Sequence, residues 1–499
     1  MIKCPTLEKT AAPSAVACVD SRLQAVTLPI LFSMLLMAAC FWYAKQDGAG
    51  ISEYDLTVRS AQLACVAMLP VWLQSLLSKR SSLERVVILA WLPLKICFLI
   101  YYYFYVWDAR ENPSLYLHYS DHMPFHQWAN RVSEYWRVSS GIIISRKQLY
   151  IMSINYPAAA YLFGAMYHCL GKFPGVVLPW LTLFQFYTAV TAQRVLELAD
   201  LPLKEAKVAF YFMLWSPVVW ILTLLIHRDI FIILALLIIV GATLSLFRRS
   251  PLGLLGVPVG VVLLANLRAE LLILVMVWFV LVCLIGVSRY GDLGFAKKLA
   301  FFAVFGSITA FVGWTIFGGG SSLYSAKFAM GSKMGQVSAK YMQEGATGNG
   351  MYGGVLALGG AFLLPVILPF KLLIGLTAPF PWRFSTVQLA ITQPFYSLES
   401  ILRIALAILM VRSACSWARL KEIYARPSFL PVSMGVVLAL GSLMGPQSEV
   451  RYMTPAFPLL VPLFGRQASS FRTMFSSLCW AVFAIALLHA GYLLFRGGF

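Results

Sequence analysis

Residues 226–247 read IHRDIFIILALLIIVGATLSLF, with His227, Arg228 and Asp229 at the head of an uncharged apolar run that extends to Phe247. A helix needs roughly 17–25 such residues to cross the hydrocarbon core of a bilayer, and this run is long enough. Ionisable groups are costly in that environment. His227, Arg228 and Asp229 therefore either mark a membrane boundary or work as a site.

The rest of the chain has the same character. Its 499 residues are 60% hydrophobic and 12% charged, with a mean hydropathy of +0.78, far from the balance of a soluble domain. Apolar runs recur near 25–43, 58–78, 86–106, 151–170, 174–193, 206–225, 229–247, 252–266, 270–288, 298–317, 353–377, 400–413, 429–445, 453–465 and 474–494. They predict an all-α polytopic transmembrane helix bundle of about 11–14 spans. Residues 1–24 read as a cytoplasmic tail, 25–43 as an uncleaved signal anchor, and 25–499 as one integral-membrane domain.

The net charge of +19 does not point to nucleic acid, because the basic residues punctuate the gaps between apolar runs. The positive-inside rule accounts for that pattern. The nine cysteines are scattered, mostly within apolar runs and with no C-x-x-C pair. They read as small core residues.

Short Lys/Arg-rich loops at 79–85, 248–250, 289–298, 412–426 and 465–472 predict one cytoplasmic face. Counting from them puts IHRDI, the long loop near 108–150, the Gly-rich loop near 318–352 and PQSEVRY (446–452) on the other face. Within the first long loop, Trp128, Val132, Tyr135 and Trp136 recur at helical spacing, with Arg131, Glu134 and Arg137 on the opposite side. That pattern predicts an amphipathic helix lying in the membrane interface.

Three polar sets would then meet at one membrane surface. In SDHMPFH, Asp121 with His122 and His126 reads either as a solvated loop or as a general base with neighbouring imidazoles. Carboxylate and imidazole together also suit a divalent metal ion. In IHRDI, His227, Arg228 and Asp229 read either as a turn ion pair or as a site. Asp229 there caps the following helix and faces the aqueous border. In PQSEVRY, Glu449, Arg451 and Tyr452 read either as an interfacial belt or as an anion-binding group, since a guanidinium donates in parallel to two phosphate oxygens. Arg268 and Glu270 in ANLRAELL form a fourth polar break, a helix-end pair or a further site.

An acidic outward loop followed by an aromatic amphipathic helix, the segment NYPAAAYLFGAMYHCLG, the span WSPVVWILTLLIHRD and the late E-x-R-Y-x-x-P together resemble the GT-C superfamily of integral-membrane glycosyltransferases. The likeness spans roughly 108–465 and includes the protein O-mannosyltransferase and aminoarabinose-transferase relatives. It implies a GT-C-like fold and a cell-envelope enzyme of a bacterial inner membrane. The enzyme would take a sugar from a polyprenyl-phosphate-linked donor on the periplasmic face and pass it to a glycan, lipid or protein acceptor. By the same likeness, Asp121 would activate the acceptor hydroxyl and Asp229 would position the acceptor or a metal ion. Arg451 would bind the donor phosphate with help from Arg228. His122, His126, His227, Arg268, Glu449 and Tyr452 remain candidates for substrate contact.

A repeat-unit polymerase of the O-antigen type fits the same features. A lipid-linked-sugar flippase or transporter fits less well, because the ionisable residues lie at span ends and no paired half-repeat is visible.

Overall fold

The computed structural model of the chain describes residues 82–102, 122–139, 144–170, 177–248, 252–290, 387–444 and 453–497, apart from 140–143, 153, 155, 156, 225 and 269, together with Lys172 and scattered positions between 294 and 303. Among these residues every regular element is a helix. They run α1 (Ser82–Tyr102), α2 (His122–Val138), α3 (Arg146–Ile151), α4 (Pro157–Leu170), α5 (Leu178–Leu198), α6 (Leu203–Trp215), α7 (Pro217–Leu224), α8 (Asp229–Phe247), α9 (Leu252–Arg268), α10 (Glu270–Tyr290), α11 (Val387–Ala414), α12 (Trp417–Ala425), α13 (Phe429–Met444), α14 (Ala456–Ala468) and α15 (Phe471–Gly497). The predicted runs at 25–43, 58–78 and 353–377, and most of 298–317, lie outside the described residues, as does the loop 318–352.

By length and apolarity α8 can cross a membrane alone. Among the described residues, up to four crossings result if the bent pairs α6–α7, α11–α12 and α14–α15 each count as one. The predicted run at 206–225 is thus not continuous. Pro217 has no N–H to donate, and its ring drives Ser216 out of the α region, to ψ 122°. The helix stops at Trp215, restarts with proline in its first turn, and bends by 45°. The carbonyls released by this break are taken up locally. Gln185 Nε2 donates to Met213 O and Leu214 O at 3.0 and 3.1 Å, and Trp220 Nε1 donates to Leu214 O at 2.6 Å.

Helix α8 is apolar on all sides and correspondingly buried around most of its circumference. It lies between α5 and α9. Its contact with α9 depends on small residues, which let the two backbones approach closely. A Cβ on Gly256 would stand 2.7 Å from the Ala242 Cβ, and one on Gly260 2.6 Å from Ile239 Cγ1.

The two ends of α8 differ in charge. At the Phe247 end, Arg248 pairs with Asp200, and Arg419 of α12 reaches Glu205 of α6 at 2.7 Å and the Pro462 carbonyl of α14 at 3.0 Å. Arg248, helix α12 and the stretch of α14 around Pro462 therefore gather at one end of the bundle. The Asp229 end lies about 28 Å away along the helix.

The amphipathic helix predicted in the first long loop is α2. Phe125, Trp128, Ala129 and Val132 are buried, while Arg131, Glu134 and Arg137 are exposed. Its apolar face does not rest on lipid, however. It packs on α4, where Gly164 lies so close that an added Cβ would meet Val132 Cγ1 at 2.5 Å. The cysteine expectation also changes, since Cys97, Cys415 and Cys479 lie at the surface and Cys283 is partly exposed.

Candidate functional site

His227, Arg228 and Asp229 are all buried, at 5%, 7% and 7% exposure. This corrects the water-facing position expected for Asp229. Arg228, not Asp229, stands at the N-cap position of α8, and its side chain makes no capping bond. The reason for the burial is tertiary. Helix α2 covers the turn, so that the Phe125 ring meets His227 edge-on at 5.7 Å and lies 5.8 Å from the Arg228 guanidinium. Arg228 Nη1 donates to the Leu267 carbonyl in the last turn of α9, one of the acceptors that a helix C-terminus leaves open. His227 Nδ1 stands 3.4 Å from Asp229 Oδ2 and accepts the Asp229 amide at 3.3 Å. Carboxylate, imidazole and guanidinium are thereby held in one desolvated turn against α2 and α9.

His126 follows Phe125 on α2. Asn130 Nδ2 donates to His126 Nε2 at 3.0 Å, so that nitrogen carries a lone pair and Nδ1 donates to the Tyr167 hydroxyl at 2.7 Å. The ring is neutral in this arrangement. Burial pushes its pKa down to about 4, because a charged imidazolium would lose its hydration there. Arg268, beside Leu267 at the end of α9, is partly buried next to the same turn. His122 opens α2. Asp121, Glu449, Arg451 and Tyr452 lie outside the described residues. Among the described residues, no three His, Cys, Asp or Glu side chains gather as a metal site would need.

Deeper in the bundle lies a second polar group that had no place in the sequence-based site. At the α6–α7 break, Ser216 Oγ donates to Glu399 Oε2 at 2.7 Å and the Val218 amide approaches the same oxygen at 3.4 Å. Glu399 pairs along α11 with Arg403 at 3.0 Å, both side chains at 0% exposure. Arg403 Nη2 donates to Thr454 Oγ1 at 2.6 Å, and its guanidinium lies 4.9 Å from the Phe457 ring. Thr454 is the described end of the PQSEVRYMTP segment, so α11 is tied to the chain just beyond Arg451.

One helix further along, fully buried Lys95 of α1 donates to Thr223 Oγ1 at 2.7 Å and to the Trp220 carbonyl at 3.0 Å, with the Trp220 ring 5.0 Å away. Thr223 in turn donates to Gln185 Oε1 at 2.9 Å. Helix α7, eight residues long, thus carries polar contacts from Ser216 through Thr223 towards the IHRD turn. The expectation that ionisable residues keep to span ends fails for Lys95 and Arg403, inside the predicted runs 86–106 and 400–413, while Glu399 borders the second of them. Each is a single charge or an i,i+4 pair inside an apolar run. That signal was present in WLPLKICFLI and SLESILRIALAI and marks an intramembrane site candidate.

The described residues are thus all-helical, with at least one helix suited to cross a membrane. Comparison with protein-family models, curated proteins and solved structures returns no match to it.

Proposed function

We propose that the chain is a multi-pass membrane glycosyltransferase of the cell envelope. It would transfer a sugar from a polyprenyl-phosphate-linked donor to a glycan, lipid or protein acceptor at the membrane face opposite the basic loops. The observation that carries this reading is the desolvated His227–Arg228–Asp229 turn, roofed by the amphipathic helix α2. Displacing a lipid phosphate from an anomeric carbon needs a base for the incoming hydroxyl and a cation to meet charge building on the departing phosphate. Asp229, with Asp121 of the adjoining loop, supplies carboxylates, and Arg228 with Arg451 supplies guanidinium donors suited to phosphate oxygens. The likeness to GT-C enzymes assigns activation of the acceptor hydroxyl to Asp121, positioning of the acceptor or a metal ion to Asp229, and the donor phosphate to Arg451 with help from Arg228.

A transporter or flippase of lipid-linked sugar is the second reading. It is favoured by one observation, the fully buried Lys95, Glu399 and Arg403 beside the broken helix α6–α7, since interrupted helices lined by polar groups are how many transporters hold their cargo.

The two readings separate in proteoliposomes that contain the full chain and a polyprenyl-phosphate donor labelled in the sugar. A transferase releases polyprenyl phosphate and moves the label to an acceptor, and a polymerase does so with lengthening product. A transporter carries the intact donor across the bilayer with no bond broken, and that result would refute the transferase reading.

A further inference from the structure

Helix α12 has two unlike faces. On one, Arg419 is fastened to the protein through Glu205, Glu422 and the Pro462 carbonyl, and Ile423 is buried. Arg419, Arg426 and, through space, Arg466 of α14 hold the Glu422 carboxyl below its usual pKa. On the other face, Trp417, Lys421 and Tyr424 follow the i, i+4, i+7 stripe of a helix. All three are exposed, Trp417 at 68% and Tyr424 at 51%, and the Lys421 ammonium lies 5.7 Å from the Trp417 ring. The exposed stripe therefore carries two large aromatic side chains and a cation, with the Tyr424 ring inclined against Phe429 of α13 at 6.4 Å and still half exposed.

The setting of α12 indicates what covers the stripe. The helix is set at 93° to the adjoining part of α11, so if α11 follows the membrane normal, α12 runs in the membrane plane. It sits at the basic end of the bundle, and exposed Arg426 and Arg466 flank it. At the same end, Phe471 opens α15 with 84% exposure just past the end of α14. Aromatic side chains at one level beside Lys and Arg are the mark of a helix bedded at the headgroup boundary. The rings enter the acyl edge there and the cations meet lipid phosphate.

We infer that α12 is an in-plane interfacial helix that binds anionic phospholipid, with Trp417 and Tyr424 in the acyl boundary and Lys421 and Arg426 on the headgroup phosphate. The occupant is the leaflet itself, because charge complementarity, the right-angle bend and the aromatic stripe all match a lipid surface. Arg419, whose side chain is 13% exposed, is held within the protein and takes no part, whereas Arg426 pairs with Glu422 at 3.1 Å and keeps its side chain 47% exposed. This inference is independent of the transferase reading.

The test uses the full chain with a photo-crosslinking amino acid in place of Trp417, reconstituted in nanodiscs of phosphatidylcholine alone or of equal parts phosphatidylcholine and phosphatidylglycerol. Mass spectrometry of the α12 peptide should show lipid adducts, enriched several-fold in phosphatidylglycerol over its share of the bilayer. Charge reversal, Lys421→Glu with Arg426→Glu, should abolish that enrichment, and the milder Lys421→Gln, read alone if the double variant fails to fold, should lower it partway. Adducts to protein or water only, or lipid adducts insensitive to headgroup charge, would overturn the inference.

Discussion

The Glu399–Arg403 pair gives the sharpest stability test of the described core. Glu399→Leu leaves the Arg403 guanidinium at 0% exposure with its charge uncompensated by Glu399, and removes the acceptor of Ser216 Oγ and the Val218 amide. Losing one partner of a buried pair costs about 3–5 kcal/mol, and the stranded serine hydroxyl adds about 1 kcal/mol. The expected loss is therefore about 4–6 kcal/mol, a large fraction of the stability of an ordinary domain. Replacing both charges, Glu399→Leu with Arg403→Met, removes the stranded cation and should return the chain to within about 1–2 kcal/mol of the original. Unfolding of the purified chain in mixed detergent micelles, read as a double-mutant cycle, measures both values. A single substitution that costs less than about 1 kcal/mol, or a double variant as unstable as the sum of the singles, would refute the reasoning. A double variant that is stable but inactive would show that the pair is kept for function.

Two further outcomes follow from the helix contacts. Gly260→Val puts methyl groups where Ile239 Cγ1 already lies 2.6 Å from the added Cβ, so α9 must move off α8. Overpacking of that kind costs about 1–3 kcal/mol, visible as a lower melting temperature in detergent, whereas an unchanged value would contradict the close approach. His126 gives a pH signature. Its pKa falls from 6.5 to about 4 on folding, so below pH 6.5 the unfolded chain takes up a proton that the folded one refuses. Its contribution to stability is therefore present above pH 6.5 and is lost as pH falls towards 4, by as much as roughly 3 kcal/mol. His126→Gln should flatten that part of the stability–pH curve, and an unaltered slope would refute the assignment.

Much of the helical framework was legible in the sequence because long apolar runs bounded by polar residues read as helices. An uncharged run of spanning length to Phe247 reads as a helix, and the spacing of Trp128, Val132 and Tyr135 reads as one apolar face, that of α2. The Ser216-Pro217 pair was equally plain, but its consequence, a bend whose carbonyls are met by Gln185, depends on a residue 28 positions upstream. Burial of the IHRD turn was not legible for the same kind of reason. Local reasoning places a charged turn in water, and only the arrival of Phe125 and Leu267 from distant helices closes it off. Lys95, Glu399 and Arg403 escaped notice because averaging over a spanning window hides one charge among many apolar neighbours. Each stands out once a single ionisable residue in an apolar run is treated as a candidate site.

The most direct test of the proposed transfer reaction is the rate at which the full-length chain releases polyprenyl phosphate from a labelled polyprenyl-phosphate sugar in proteoliposomes, compared with its Asp229→Asn variant. Asparagine keeps the shape of the buried side chain beside His227 and removes the charge, so the variant should stay folded in the membrane while release slows by about a hundredfold or more. Release as fast in Asp229→Asn as in the unmodified chain, or none from the unmodified chain across hexosyl and pentosyl donors, would contradict the proposed function.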